Sequence, residues 1–206
     1  MTVLNPSDEA ILLSPSWASY EPMISIIGGV PVNVPVDRKN FHPDMDAIRS
    51  SITDRTRMIM VNSPCNPTGA VYTRKEIEEI VSIAIEHDLW IISDEIYSRL
   101  IWNGGEHVSP ATIEGGKERT IVISGWSKTW AMTGMRVGFL AGPEQAVRAA
   151  VKCQANSASH IPTFMMEAAR VALDCDDHVE RFSDAYRHRR KLMVQGLEDI
   201  PGLRIV

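Results

Sequence analysis

The chain has little of what would place it in several large classes. Cysteine is scarce: among 206 residues only Cys65, Cys153 and Cys175 occur. Their spacing forms no CxxC pair, no even disulfide framework and no clustered Cys/His zinc site, so a reducing compartment is expected. Positive charge is not in excess, since 21 Lys and Arg stand against 26 Asp and Glu and the net charge is −5 at pH 7. The basic footprint of a nucleic-acid or anionic-membrane binder is therefore missing. Long apolar runs are missing too, because Gly28, Gly29, Pro31 and Pro35 interrupt them, and Met1 to Ala10 holds no basic segment leading into an apolar stretch. Neither a membrane span nor a secretion signal is expected, which points to the cytoplasm. Internal repeats and Ser/Gly linkers are not seen.

What is present is a globular composition: 44% hydrophobic and 23% charged residues, with 13 glycines and 12 prolines. That rules out collagen-like and disordered readings and allows a substantial core. The length corresponds to about 1.4 domains on the usual size rule. Short apolar runs at Ala10–Leu13, Val30–Val36, Met58–Val61, Trp90–Ile92, Ile121–Ile123 and Val137–Ala141 read as strands. Most are near-continuous, as in strands buried on both faces, whereas Val30–Val36 alternates like a more exposed one. Between two of them, Ile77, Ile80, Val81, Ala84 and Ile85 recur at helical spacing behind a Thr73/Glu76 capping box, so residues 58–92 read as a βαβ unit. Further helices are expected over Asp44–Ile52, Glu144–Cys153, Thr163–Leu173 and Asp177–Leu197, with Gly202–Val206 beginning another strand. The basic run Arg187–Lys191 reads as a solvated helix face. The fold class expected is α/β, a three-layer α/β/α arrangement on a mostly parallel sheet.

Chemistry-bearing residues follow the strand candidates. Asn62-Ser63-Pro64-Cys65-Asn66-Pro67-Thr68-Gly69 comes after the third, Ser93-Asp94-Glu95-Ile96-Tyr97 after the fourth, and Ser124-Gly125-Trp126-Ser127-Lys128-Thr129 after the fifth, leading to Arg136. Carboxyl ends of parallel strands are where an α/β sheet places its ligand. Common nucleotide and hydrolase motifs fail here. Ser127 stands where a P-loop needs Gly before Lys128, Gly134 and Gly138 have the wrong spacing for GxGxxG, and Gly125-Trp126-Ser127-Lys128 breaks GxSxG at its last position. Taken singly, each remaining residue has an ordinary reading: a loop Lys is usually a solvated charge, and Asn66-Pro67 alone is a turn signal.

Taken together and in order, Asn66-Pro67-Thr68-Gly69, Asp94-x-x-Tyr97 and Ser127-Lys128 with Arg136 eight residues on resemble the fold-type I pyridoxal-phosphate enzymes. The match is best with the class I/II aminotransferases of the aspartate aminotransferase kind. The resemblance implies pyridoxal 5'-phosphate as cofactor and transfer of an amino group between an amino acid and a 2-oxo acid. It implies Lys128 as the lysine that forms an imine with the cofactor and then shuttles the proton. Asp94 would keep the ring nitrogen protonated, Asn66 and Tyr97 would hydrogen-bond the ring's phenolate oxygen, and Arg136 and Ser127 would hold the phosphate. Trp17 would stack on the ring, with Tyr20 as rival, and Trp17 and Asn66 would also meet substrate. Ser124 is a lesser phosphate candidate, and Trp126 and Trp130 read as packing residues.

The resemblance also implies a homodimer and a division into a large cofactor-binding domain over residues 1–176 and, over 177–206, a connecting helix with the start of a small domain. Family members begin further upstream and continue further downstream, so the expectation is a large domain truncated at both ends. Two kinds of alternative stay open: another reaction on the same scaffold, such as C–S lysis or a synthase, and a non-catalytic cofactor-binding fragment or effector-sensing module.

Overall fold

The computed structural model describes residues 2–102 and 104–206. Six strands run β1 Glu9–Ser14, β2 Val30–Pro35, β3 Thr56–Asn62, β4 Trp90–Asp94, β5 Thr120–Gly125 and β6 Gly138–Ala141. Helices are α1 Tyr20–Ser25, α2 Met45–Ser50, α3 Arg74–Glu86, α4 Glu144–Ser157, α5 Thr163–Ala172 and α6 Asp176–Glu198. The strands form one sheet in the order β2-β1-β3-β4-β5-β6. All neighbours are parallel except β6, which runs antiparallel to β5. The segment 126–137 between those two strands contains no crossover helix, so the chain returns beside β5 in the opposite sense.

Side-chain alternation along the buried strands builds the layers. On β1, Ile11 and Leu13 enter a core with Ile59, Val61, Ile91 and the α2 and α3 residues Ile48, Ile77, Ile80 and Val81. Ala10 and Leu12 point the other way, into a second core with Tyr20 and Ile24 of α1 and Ala146 of α4. This is the expected α/β/α arrangement. Strand β2 lies on an edge and buries only Val34, in keeping with its alternating pattern.

Helix α3 starts at the expected capping box: Glu76 N–H donates to Thr73 Oγ1 at 3.3 Å, and Thr73 N–H donates to Glu76 Oε2 at 2.7 Å. One of its expected core positions differs. Ile85 is 45% exposed while Ile83 is buried, because α2 packs beside α3, placing Ile48 in the same core and Arg49 in an ion pair with Glu86. Helix α1 was not expected; it forms because Tyr20 and Ile24, one turn apart, share a buried face.

Gly202–Val206 is not the start of a strand. Gly202 has φ 82°, the segment pairs with no strand among the described residues, and without a ladder its apolar residues stay exposed. No helix among the described residues is long and apolar enough to cross a membrane.

Candidate active site

Registers align the carboxyl ends of the central strands: Asn62 lies opposite Asp94, and Asp94 opposite Ile123. Beyond these ends opens a cavity of about 380 Å³. The seven residues singled out from the sequence, Trp17, Asn66, Asp94, Tyr97, Ser127, Lys128 and Arg136, all line it. They come from four separate loops, so the fold assembles them.

Asp94 ends β4 and turns its side chain toward α1. The Tyr20 hydroxyl donates to Asp94 Oδ2 at 2.6 Å, and Ile96 N–H donates to Oδ1 at 3.2 Å. Burial first, and then the neighbouring Asp94 charge, push the Tyr20 hydroxyl well above its ordinary value. Tyr20 therefore stays a donor and holds the carboxylate in one orientation. Trp17 meets Tyr20 edge to face, with centroids 5.3 Å apart and planes at 88°, and remains 40% exposed toward the cavity. Asn62 joins two loops: its Nδ2 donates to the Asp94 carbonyl at 3.0 Å and its Oδ1 accepts from Asn66 N–H at 2.8 Å. The loop bearing Asn66 closes through Gly69, whose N–H donates to the Cys65 carbonyl at φ 75°, a conformation that favours glycine.

Lys128 and Arg136 are brought together by the tight approach of β5 and β6. A Cβ on Gly125 would sit 2.7 Å from the Val137 carbonyl oxygen, so only glycine permits this spacing. The loop between them is tied by Trp126 N–H to the Val137 carbonyl at 3.2 Å and by Thr133 Oγ1 to the Ser127 carbonyl at 2.9 Å. Arg136 itself has φ 55°, a left-handed backbone that costs energy in a non-glycine residue and is commonest at functional sites. Its Nη1 donates to the Thr133 carbonyl at 3.1 Å, and among the described residues no carboxylate pairs with it. Lys128 Nζ lies 5.8 Å from the centroid of the Tyr97 ring. Two cations facing one carboxylate across a cavity make an anion-binding environment.

A second cavity of about 700 Å³ adjoins the first through Asn66, Tyr97, Ser127, Lys128 and Thr133, with Trp102, Tyr186 and Arg190 further out. Arg187–Lys191 is exposed throughout, the solvated face expected, with Arg190 at the rim of this cavity and Arg187 paired with Asp184 on the helix surface. Ser124 lines the first cavity, and its hydroxyl donates to the Glu95 carbonyl at 3.3 Å. Trp126 and Trp130 pack against each other at 5.8 Å, as expected. Sequence reasoning did not find Tyr20 as the Asp94 partner, nor Asn62 as the link between loops. The only available signal for Tyr20 was its position three residues after Trp17, at the start of a short helix.

A twisted parallel sheet with its ligand groups at the carboxyl strand ends is an α/β binding domain of the doubly wound type. The family model for aminotransferase class I and II matches residues 1–206, and the chain belongs to that family. It is 41% identical over 205 residues to the aspartate aminotransferase of Musicola paradisiaca, covering 98% of this chain and 51% of that protein. It is 40% identical to the aspartate/prephenate aminotransferase of Thermus thermophilus, covering 99% of this chain and 53% of that protein. The crystal structure of the aromatic aminotransferase from Pyrococcus horikoshii superposes with a TM-score of 0.93 at 40% identity, over 96% of this chain and 54% of that one. The chain thus spans about half the length of these relatives.

Proposed function

We propose that this chain is the cofactor-binding part of a pyridoxal-phosphate-dependent aminotransferase, acting between an L-amino acid and a 2-oxo acid. One observation carries the reading: Lys128, Asp94, Tyr97, Asn66, Arg136, Ser127 and Trp17 converge on one cavity of about 380 Å³. The donor set fits the cofactor. An amine, a carboxylate held in one orientation by Tyr20, and a guanidinium that pairs with no carboxylate among the described residues suit, in turn, a carbonyl, a ring nitrogen and a phosphate.

When bound, pyridoxal phosphate supplies an electrophilic carbonyl and an electron-withdrawing ring. The chain's residues supply the rest. Asp94, with Tyr20 on one oxygen and Ile96 N–H on the other, holds a proton on the ring nitrogen. Lys128 Nζ would hold the cofactor through its carbonyl carbon, with loss of water, and, once released by the incoming amino acid, would serve as the base that takes the substrate α-proton and the acid that returns it two atoms away. Tyr97 and Asn66 would donate to the phenolate oxygen, Arg136 and Ser127 would hold the phosphate, and Trp17 would stack on the ring. The wider second cavity, walled by Trp102 and Tyr186 with Arg190 at its rim, offers room for an acidic or aromatic substrate side chain of the kinds named in the relatives. Residues 1–176 form the large domain on this reading, with 177–206 leading into a smaller one; the protein works as a cytoplasmic homodimer.

The test is the visible spectrum after adding pyridoxal phosphate, followed by borohydride reduction and peptide mapping. The expected result is a reduced adduct on Lys128 that Lys128→Ala abolishes. An adduct spread over other lysines in a folded protein overturns the assignment. Cofactor binding on Lys128 without transamination by these 206 residues removes the enzymatic part of the reading for this chain.

A further inference from the structure

Asp94 and Glu95 are consecutive carboxylates, and the strand period sends them to opposite layers of the fold. Asp94 turns toward α1 and Tyr20. Glu95 turns the other way, is 7% exposed, and lines neither cavity. Both its oxygens are engaged: Ser93 Oγ donates to Oε1 at 2.9 Å, Ser109 Oγ donates to Oε1 at 2.5 Å, and His107 Nε2 lies 2.9 Å from Oε2. Burial alone would raise the Glu95 carboxyl, but His107, Ser109 and Ser93 together hold it below the ordinary carboxylate range.

The main chain of Glu95 is equally tied. Its N–H donates to the Ile123 carbonyl at 2.8 Å, and its carbonyl accepts from Ser98 N–H at 3.0 Å and from Ser124 Oγ at 3.3 Å. Glu95 thus joins β4, β5 and the turn that carries Tyr97. Val108, next to His107, is buried in the α3-side core, which anchors the far end of the link.

A largely buried polar cluster of this kind seldom adds stability over apolar packing, so its presence asks for another purpose. His107 sharpens the point. Its Nδ1 is buried with no hydrogen-bond partner among the described residues. The ring is committed to Glu95 at the cost of an orphaned nitrogen, an arrangement that calls for explanation in a native fold.

We infer that Glu95 and His107, with the hydroxyls of Ser93 and Ser109, are positioning residues that hold Asp94 and Tyr97 in fixed relation to each other and to Lys128. The unit acts from behind the cleft, through the backbone of residues 94–98. It rests on the cofactor reading above, since its purpose is to place the groups that would meet the ring nitrogen and the phenolate oxygen.

The experiment uses the 206-residue chain with pyridoxal phosphate, reading the cofactor Kd, the pH midpoint of the visible absorbance change, and thermal unfolding. If the wild-type chain forms no borohydride-fixed adduct on Lys128, the cofactor reading fails; the inference is judged on a wild type that forms it. His107→Leu is then expected to raise Kd about tenfold. The midpoint is expected to move up by roughly half a pH unit or more, because a displaced Tyr97 no longer stabilises the phenolate. His107→Gln, whose amide N–H reaches Glu95 as Nε2 does, is expected to recover most of both changes. A folded His107→Leu with wild-type Kd and midpoint overturns the inference, as does a loss that His107→Gln fails to reduce. If His107→Leu does not fold, Ser93→Ala, which removes a single donor to Glu95, decides. An upward midpoint shift supports the unit, and an unmoved midpoint at wild-type melting temperature overturns it.

Discussion

The sheet with α3 and the helical segment α4–α6 are built to different standards. Helix α3 buries five residues within 13 positions, against the sheet and α2. Helix α6 buries only Val179 in 23 positions, and α4 buries only Ala146. Val151, Phe164, Met166, Leu192 and Met193 are all more than half exposed. The contrast teaches that most of the proposed catalytic groups stand on the better-buried part of the molecule. Asn66, Asp94 and Tyr97 follow β3 and β4, whose apolar side chains are largely buried, while Lys128 follows β5, on which Ile123 is 41% exposed, and the helical segment presents surface suited to further contacts, such as those of the proposed homodimer.

The largest test of that contrast is a deletion in the α3-side core. Ile80 is fully buried, so Ile80→Ala is expected to lower unfolding free energy by about 2–5 kcal/mol in chemical denaturation. A loss under about 1 kcal/mol would show this core to be less complete than it looks.

An intermediate effect is expected from acid. The sheet region with α3 holds four carboxylates below their ordinary range: Glu86, exposed beside Arg49, and three that are partly or fully buried. Glu9 is held there by hydrogen bonds from Thr53, Arg55 and Thr56; Glu76, despite burial, by Thr73 and His42; and Glu95 by His107, Ser109 and Ser93. A carboxylate whose folded-state pKa is depressed contributes stability above its unfolded value, and that stability is lost as pH falls through the folded value. Stability should therefore start to decline near the ordinary value of 4.5 and keep falling below it. Glu76→Gln should flatten that decline in pH-dependent denaturation, and an unchanged slope would remove Glu76 from the account. In the helical segment the comparable group, Glu167, pairs with Arg170 at the surface, where such pairs contribute little.

The smallest effect should come from that segment's own apolar residues. Leu192 is 55% exposed, so Leu192→Ser should change the stability of the isolated chain by no more than about 0.5 kcal/mol. A cost comparable with that of Ile80→Ala would erase the distinction between the two regions.

Much of this was legible in the residues. Near-continuous apolar runs marked the buried strands, the Thr73/Glu76 box marked the start of α3, and the ordered motifs around Asn66, Asp94 and Lys128 marked the residues that line the cavity. Other features carried too weak a local signal. Helix α1 spans only Tyr20–Ser25, too short for periodicity to reveal. The burial of Ile83 rather than Ile85 depends on where α2 lies, and the end of the chain, Gly202–Val206, has strand-like composition but no partner strand among the described residues.

By itself the sequence determined the α/β class, the order of the chemical groups along the chain and their placement after strands, because hydrophobic period and turn chemistry are local properties. Only the tertiary structure decided what lies across from each group. Tyr20 reaches Asp94 over 74 residues, and Asn62 bonds the Asp94 carbonyl over 32; no local pattern encodes such pairs. The strand period requires Asp94 and Glu95 to face opposite ways, but the packing of separate layers on the two sides of the sheet decided that one would meet a tyrosine at an open cavity and the other a half-buried histidine on the opposite side.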